Sequence, residues 1–513
     1  MVDADLAARI EEIQSVDPDE FQRRVAAGAE AVEAAVADGA LDNPQAIVGL
    51  EHEFYAVESD SKALARVPRR LLAYAGFEKE LGLHNAEMST SPQPLNAAGL
   101  RAQEAEVIAR LETAREPVGA EGLQLVSDGL WTIPPVGETA RSYLTDSVEI
   151  DGVRVATNMS DAARYHAMSD PNRPAAAGMH LDAPHVHLEA DTAIPESLIT
   201  SIQPHYQVPQ ARDIPDYVRY ALRIAGPLLA LGVNAPLFPP DLYDEDAPPR
   251  EILADARMEE RIWVFENVLN DPDGEGKVRF PRDVDSVKDA IWRIVDDKII
   301  VPMPAEETGR FDDDWAAFRT KHGTFWRWVR PVFEGASRRS AHARIEFRPI
   351  PGQPTVRDVI GFQAAFAGLL EALPRLEHPV ADLPWARARE NFYAAARDGL
   401  DADLTWITTD GDRVCDPDAI YADLFEHAET GLRYRGLTET EISRYLGPLR
   451  TRARNRLTPA RWKLQRVHER LDDGAGFEEA VTETQRAYVD RQEESLLTDS
   501  FADWIVDETY TVE

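Results

Sequence analysis

Three segments of this chain alternate apolar and polar residues with the two-residue period of a β-strand. They run Val48 to Val57 (VGLEHEFYAV), Pro184 to Glu189 (PHVHLE) and Ala343 to Arg348 (ARIEFR). Alternation puts Glu51 and Glu53 on one face of the first. It puts His185, His187 and Glu189 on one face of the second, and Arg344, Glu346 and Arg348 on one face of the third. The opposite faces carry Leu50 and Phe54, Val186 and Leu188, and Ile345 and Phe347, which call for a core behind the sheet. Taken singly, each segment has the look of an ordinary half-solvated antiparallel strand. Together, their polar faces collect the carboxylates and imidazoles that suit a divalent metal and the guanidiniums that suit an anion.

Elsewhere the apolar spacing is helical. Helices are expected within residues 3–40, 97–116, 197–231, 355–372, 381–400 and 438–509. Residues 236–256, rich in proline and aspartate, read as a loop, followed by a helix bearing Arg257, Arg261 and Phe265. Strands and helices do not alternate in the doubly wound manner, and no G-x-G-x-x-G is present. The stretch Asp271 to Lys277 lacks the spacing and the Ser/Thr of a phosphate loop. The expected class is α+β with a mainly antiparallel sheet.

Composition narrows the function. The 513 residues carry 91 Asp plus Glu against 55 Lys plus Arg, a formal charge of −36, and only seven of the basic residues are lysine. Such a charge repels nucleic acid and anionic membranes, so neither is expected as a partner. With 44% hydrophobic residues and ten tryptophans the chain is no disordered acidic polymer. Acidity with lysine depleted suggests a halophilic protein, whose self-repulsion is screened within about 3 Å at 1 M salt. Cys415 is the single cysteine, which leaves no internal disulfide and no cysteine–zinc site. The acidic N-terminus is not a signal peptide, and the longest apolar run, from Ile224, is broken by proline and glycine. The expected location is cytoplasmic.

Among candidate ligands, Glu51 and Glu53 lie about 7 Å apart on one strand face, enough for each to meet a different Mg²⁺ around one triphosphate. Glu87, in HNAEMST, is a further strand-like carboxylate. Arg344 and Arg348 flank Glu346 as anion binders around a metal ligand, and Arg330, after TFWRWV, adds another. The stretch from Gly178 to Glu189 holds three of the twelve histidines, His180, His185 and His187. It opens a rival reading as a metal-dependent hydrolase, although no H-E-x-x-H spacing accompanies it.

Six motifs in order then carry a resemblance. They are VGLEHEF at 48–54, EMST at 87–90, His185-Val-His187, GPLLALGVNAP at 226–236, RIEFRP at 344–349 and QPT at 353–355. Together they resemble the glutamate–cysteine ligase and carboxylate–amine ligase family, in its second branch, over about residues 46–400. The stretch NFYAAARDGL at 391–400 is similar to that family's closing helix. The resemblance implies a glutamine-synthetase-like fold, with a curved antiparallel sheet and helices on its outer face. It implies a helical segment 1–45, a catalytic domain 46–400 and a mostly helical extension 401–513.

It also implies an ATP-dependent ligase that forms an amide through an acyl phosphate. Mg²⁺ is the expected ion, with Mn²⁺ as a substitute. The substrates are an amino acid carboxylate such as glutamate and an amine such as cysteine, which would place the enzyme in glutathione biosynthesis; a homo-oligomer is compatible with this. Glu51, Glu53, Glu87, His187 and Glu346 would be the metal ligands, with Glu51, Glu53, His187 and Arg348 around the nucleotide. Arg348 and Arg330 would serve catalysis. Arg257, Arg261, Arg344 and Asn234 would hold substrate, with no choice made between Arg257 and Arg261. One departure is His52, where the family often has a third acid; alternation turns it to the apolar side. The other rival is a non-catalytic nucleotide-binding relative, which would bind ATP without turning it over.

Overall fold

The structure, a computed structural model, describes residues 4–150, 152–168, 179–270, 276–305 and 307–510. Its spine is a long strand, β1 (Ile47–Glu58), whose residues alternate between half-buried and buried from Ile47 to Phe54. In chain order follow β2 (Glu78–Lys79), β3 (Asn85–Ser89), β4 (Gln93–Pro94) and β5 (Leu123–Val126). Two hairpins come next, β6 (Ser147–Ile150) with β7 (Val153–Ala156) and β8 (Met179–Ala183) with β9 (Val186–Ala190). Then come β10 (Ile202–Val208), β11 (Val329–Glu334), β12 (His342–Phe347) and a last hairpin, β13 (Trp406–Ile407) with β14 (Arg413–Val414). The main sheet has the order β11-β12-β10-β1-β3-β2, with β4 and β5 also pairing to β1. Its pairings are antiparallel, and it curls into a half-barrel with helices on its outer face, an α+β fold as the patterning implies.

The outer face is where the alternation buries its apolar half. Helices Ile214–Gly232 and Val356–Ala372 pack behind β10, β11 and β12. Leu50, Phe54, Tyr206, Ile345 and Phe347 are each 1% exposed or less, and Phe347 stacks on Phe366 at 4.6 Å. Each such side chain contributes about 1.5–3 kcal/mol on burial. His52 points to this side too, its Nε2 2.8 Å from Ser127 Oγ. The N-terminal helices Ala4–Gln14 and Pro18–Ala37 and the helices after residue 400 share one continuous core, which reaches from Leu6 to Ile505.

Two expectations need correction. Residues 202–208 (IQPHYQV) form β10, a central strand between β1 and β12, and the helix of that region starts only at Ile214. Pro204 masks it, because proline normally marks an edge or a break. Here Pro204 lies just past the end of the β12 ladder, which begins at the pair His205–Glu346, so its missing N–H costs nothing on that side. The second correction concerns β9, which carries His187. It pairs with β8 in a separate hairpin packed on helix Arg261–Leu269, makes one isolated bridge from Val186 to Tyr243, and is no part of the main sheet. The phosphate-loop question at 271–275 lies outside the described residues.

Candidate active site

The register of the sheet lays polar residues side by side across its concave face. One row runs Gly49, His205, Glu346, Arg330 over β1, β10, β12 and β11. A second runs Glu78, Glu87, Glu53 over β2, β3 and β1, and between them Ser89, Glu51 and Gln203 form a third. Gly49 lies directly beneath the His205 ring, where a Cβ would be in van der Waals contact at 3.6 Å from both Cβ and Nδ1 of His205. Above the rows lies a cavity of about 240 Å³, with Glu51, Glu53, Glu87, Arg330 and Arg348 in its wall. Three further wall carboxylates, Glu78, Glu80 and Glu196, escaped the sequence reading.

Glu346 is the electrostatic hinge of the site. Arg330 donates to both of its oxygens, at 2.7 and 3.1 Å, and Arg348 donates to one at 2.8 Å. Burial alone would raise its pKa, but the two guanidiniums outweigh burial and hold it well below the usual carboxylate range. Arg348 reaches on to Gln203 Oε1 at 2.7 Å, and the Gln203 amide donates to Glu53 at 2.9 Å. Among the described residues no arginine or lysine forms an ion pair with the other wall carboxylates, although Glu53 also accepts the Ser201 N–H at 2.6 Å. Burial, with Glu346 beside it, pushes Glu51 up to about 7; burial pushes Glu80 to about 7 and Glu196 to about 8, and it raises Glu53 and Glu87 as well. Clustered acids in this state call for cations.

His205 supplies the decisive detail. It is 8% exposed, and its Nε2 has no hydrogen-bond partner. That nitrogen lies 3.6 Å from Glu51 Oε1 and 3.9 Å from Glu346 Oε2. Burial holds the ring neutral, its pKa lowered to about 3, so the lone pair of an imidazole and two carboxylates converge on one spot. A buried orphan of this kind costs about 1–3 kcal/mol unless something takes it up. These donors fit a divalent cation.

The contrast with His378, Asp423 and His427 is instructive, because those three also lie within ligand reach of one another. There the Val380 N–H donates to His378 Nδ1, which leaves the Nε2 proton of His378 for Asp423 Oδ2 at 3.1 Å. His427 Nδ1 donates to the Asp423 carbonyl and its Nε2 takes the Thr409 hydroxyl. That circuit is closed on itself and leaves no converging lone pairs.

The remaining expected residues divide in two. His187 is 60% exposed at its side chain, is held 2.6 Å from Asp182 on its own hairpin, and is not in the cavity wall. It is thus not brought to the carboxylates, and the imidazole that is brought there is His205. His180 sits near Asp182 on the same hairpin, while His185, with φ of 60°, turns to Asp255 at 2.9 Å. Among the described residues these three histidines do not converge as a metal group. Arg257 stacks on Trp263 and pairs with Glu260; Arg261 pairs with Glu259 and donates to the Pro349 carbonyl. Arg344 is tied to Glu334, and Asn234 is buried against Gly352 and Tyr488. None of these four is in the cavity wall.

A family model described as glutamate-cysteine ligase family 2 matches residues 47–493. Among solved structures, the chain is similar to a glutamate–cysteine ligase from Francisella tularensis in complex with AMP. The identity is 11%, over 92% of this chain and 93% of that one, with a TM-score of 0.44. It is also similar to a bifunctional glutathione synthetase from Pasteurella multocida, at 12% identity over 91% of this chain and 55% of that one, with a TM-score of 0.45. A third is the complex between the prokaryotic ubiquitin-like protein Pup and its ligase PafA, at 12% identity over 85% and 71%, with a TM-score of 0.37. A comparison with curated proteins finds no match.

Proposed function

The chain belongs to glutamate-cysteine ligase family 2 and is a carbon–nitrogen ligase, and on that premise we propose that it joins a carboxylate to an amine by an ATP-driven acyl phosphate route. The observation that carries this reading is the convergence of His205 Nε2, Glu51 and Glu346 beside two arginines. Glu51, His205 and Glu346 would hold one Mg²⁺, and Glu53 and Glu87, paired across β1 and β3, would hold another with help from Glu78 or Glu80. When bound, such ions neutralise phosphate charge and fix the γ-phosphoryl group in line with its acceptor.

The chain's own residues do the rest. Arg348, pinned by Glu346 through Nη1, has its Nε without a hydrogen-bond partner and would turn its remaining donors to the oxygens on which charge builds during phosphoryl transfer, while Arg330, its Nε and Nη2 on Glu346, fixes that carboxylate in place. A substrate carboxylate oxygen attacks the γ-phosphorus and ADP departs. The amine nitrogen then attacks the acyl carbon, and inorganic phosphate leaves with the former carboxylate oxygen. Neither step needs a protein nucleophile. Glutamate and cysteine are the favoured pair.

The test is ADP release with Mg²⁺ in molar KCl across a panel of carboxylates and amines. The reading expects release that requires one carboxylate and one amine together. Bond cleavage without ATP, or ATP binding with no turnover for any pair, would overturn it in favour of a hydrolase or a non-catalytic relative.

A further inference from the structure

Among the cations of the cavity, Arg164 stands apart. The other two arginines of the wall, Arg330 and Arg348, both form ion pairs with Glu346, and outside the wall Arg257, Arg261 and Arg344 are paired with Glu260, Glu259 and Glu334. Arg164, on the short helix Ala163–Ala167, is in the cavity wall and half-buried. Its guanidinium donates to the Tyr165 hydroxyl at 2.6 Å and lies over that ring at 4.6 Å. The partner is a neutral phenol, since burial raises the Tyr165 pKa above the usual tyrosine range. Among the described residues no carboxylate forms an ion pair with Arg164; Glu80 and Glu87 act on it only through space. Apolar groups of the same cavity, Met168, Leu269 and Trp326, complete the wall.

An amino-acid ligase has two kinds of carboxylate to handle. The reacting one goes to the phosphoryl side, where Arg330 and Arg348 are, and loses its charge in the amide. Any other stays charged throughout and needs a cation that is not already taken. We propose that Arg164 docks the non-reacting carboxylate of an amino-acid substrate, by two parallel N–H donors. The proposal rests on the ligase reading above. A dicarboxylic donor carries such a group, and so does an α-amino acid acceptor.

The experiment pairs each substrate with its decarboxylated analogue: glutamate with 4-aminobutyrate, and cysteine with cysteamine. KM, kcat and calorimetric Kd are measured for the native full-length chain, Arg164→Met and Arg164→Lys. In the native chain, removing the docked carboxylate should weaken KM and Kd by ~10–100-fold, the scale of one charged hydrogen-bonded pair. In Arg164→Met that gap should close for one pair, with kcat changed less than about threefold, and Arg164→Lys should restore part of it. Closure in the glutamate pair assigns the docked group to the donor; closure in the cysteine pair assigns it to the acceptor. Gaps that persist at native size in Arg164→Met, with a native melting temperature, overturn the assignment. So does a native chain that distinguishes neither substrate from its analogue. If Arg164→Met does not fold, an Arg164→Lys variant with both gaps at full native size and unchanged KM overturns it. Failure of the ligase reading looks different: no ADP is released with any carboxylate–amine pair, whatever stands at position 164.

Discussion

His205 and His187 carry the same imidazole in opposite settings, and the setting decides what each can do. His205 is walled in with an unpartnered nitrogen between two carboxylates, whereas His187 is exposed and hydrogen-bonded to Asp182. His205→Asn should therefore weaken Mn²⁺ binding, followed by electron paramagnetic resonance, and lower kcat at least ~100-fold, the range seen when a positioned charge-stabilising group is lost. His187→Asn should leave both within about twofold. Equal effects in the two variants would show that the imidazole has been assigned wrongly. The arginines allow a similar contrast. Arg348 bridges Glu346 and Gln203 in the cavity wall, while Arg344 is neutralised by Glu334 outside it. Arg348→Lys keeps the charge but loses the fork, so steady-state kinetics should show a large fall in the chemical step, with a milder one for Arg344→Lys. A larger loss at Arg344 would contradict the placement.

At the scale of elements, a very close fit lies between helices Val356–Ala372 and Pro417–Tyr434. They cross at Gly368 and Gly431, and a Cβ on Gly431 would lie 1.9 Å from the Gly368 carbonyl oxygen. Gly431→Ala must push the helices apart, although alanine is the better helix former. We expect a loss of about 1–3 kcal/mol in urea unfolding, the usual range for overpacking; equal or greater stability would mean the contact is looser than described. Elements also explain what could be read from sequence. β1 and β12 were legible because each alternates cleanly and has no proline inside it, so Glu51, Glu53, Glu346 and Arg348 were placed on their proper faces. β10 was hidden by Pro204 and by a run that is buried on both faces, and His205 and Gln203 were hidden with it. The His185–His187 segment has equally good alternation, but periodicity says nothing about which sheet a strand joins. Glu80, Glu196 and Arg164 had no local signal; only the folding of distant segments brings them to the cavity.

The whole molecule couples a highly charged surface to this interior. Among the described residues no helix is long and apolar enough to cross a membrane. With a formal charge of −36, many exposed carboxylates face one another across water, and exposed ion pairs such as Arg70–Glu121 offset little of that repulsion. We expect the melting temperature to rise between 0.1 M and 2 M KCl, where the screening length shrinks from about 10 Å to below 3 Å. A melting temperature independent of salt would contradict a halophilic adaptation. The ligase account itself is tested most directly by following one atom. A carboxylate donor labelled with ¹⁸O on both carboxyl oxygens is turned over with ATP, Mg²⁺ and the amine, and the released phosphate is analysed by mass. The acyl phosphate route predicts one labelled oxygen in each inorganic phosphate, and phosphate free of label, formed alongside amide, would contradict it.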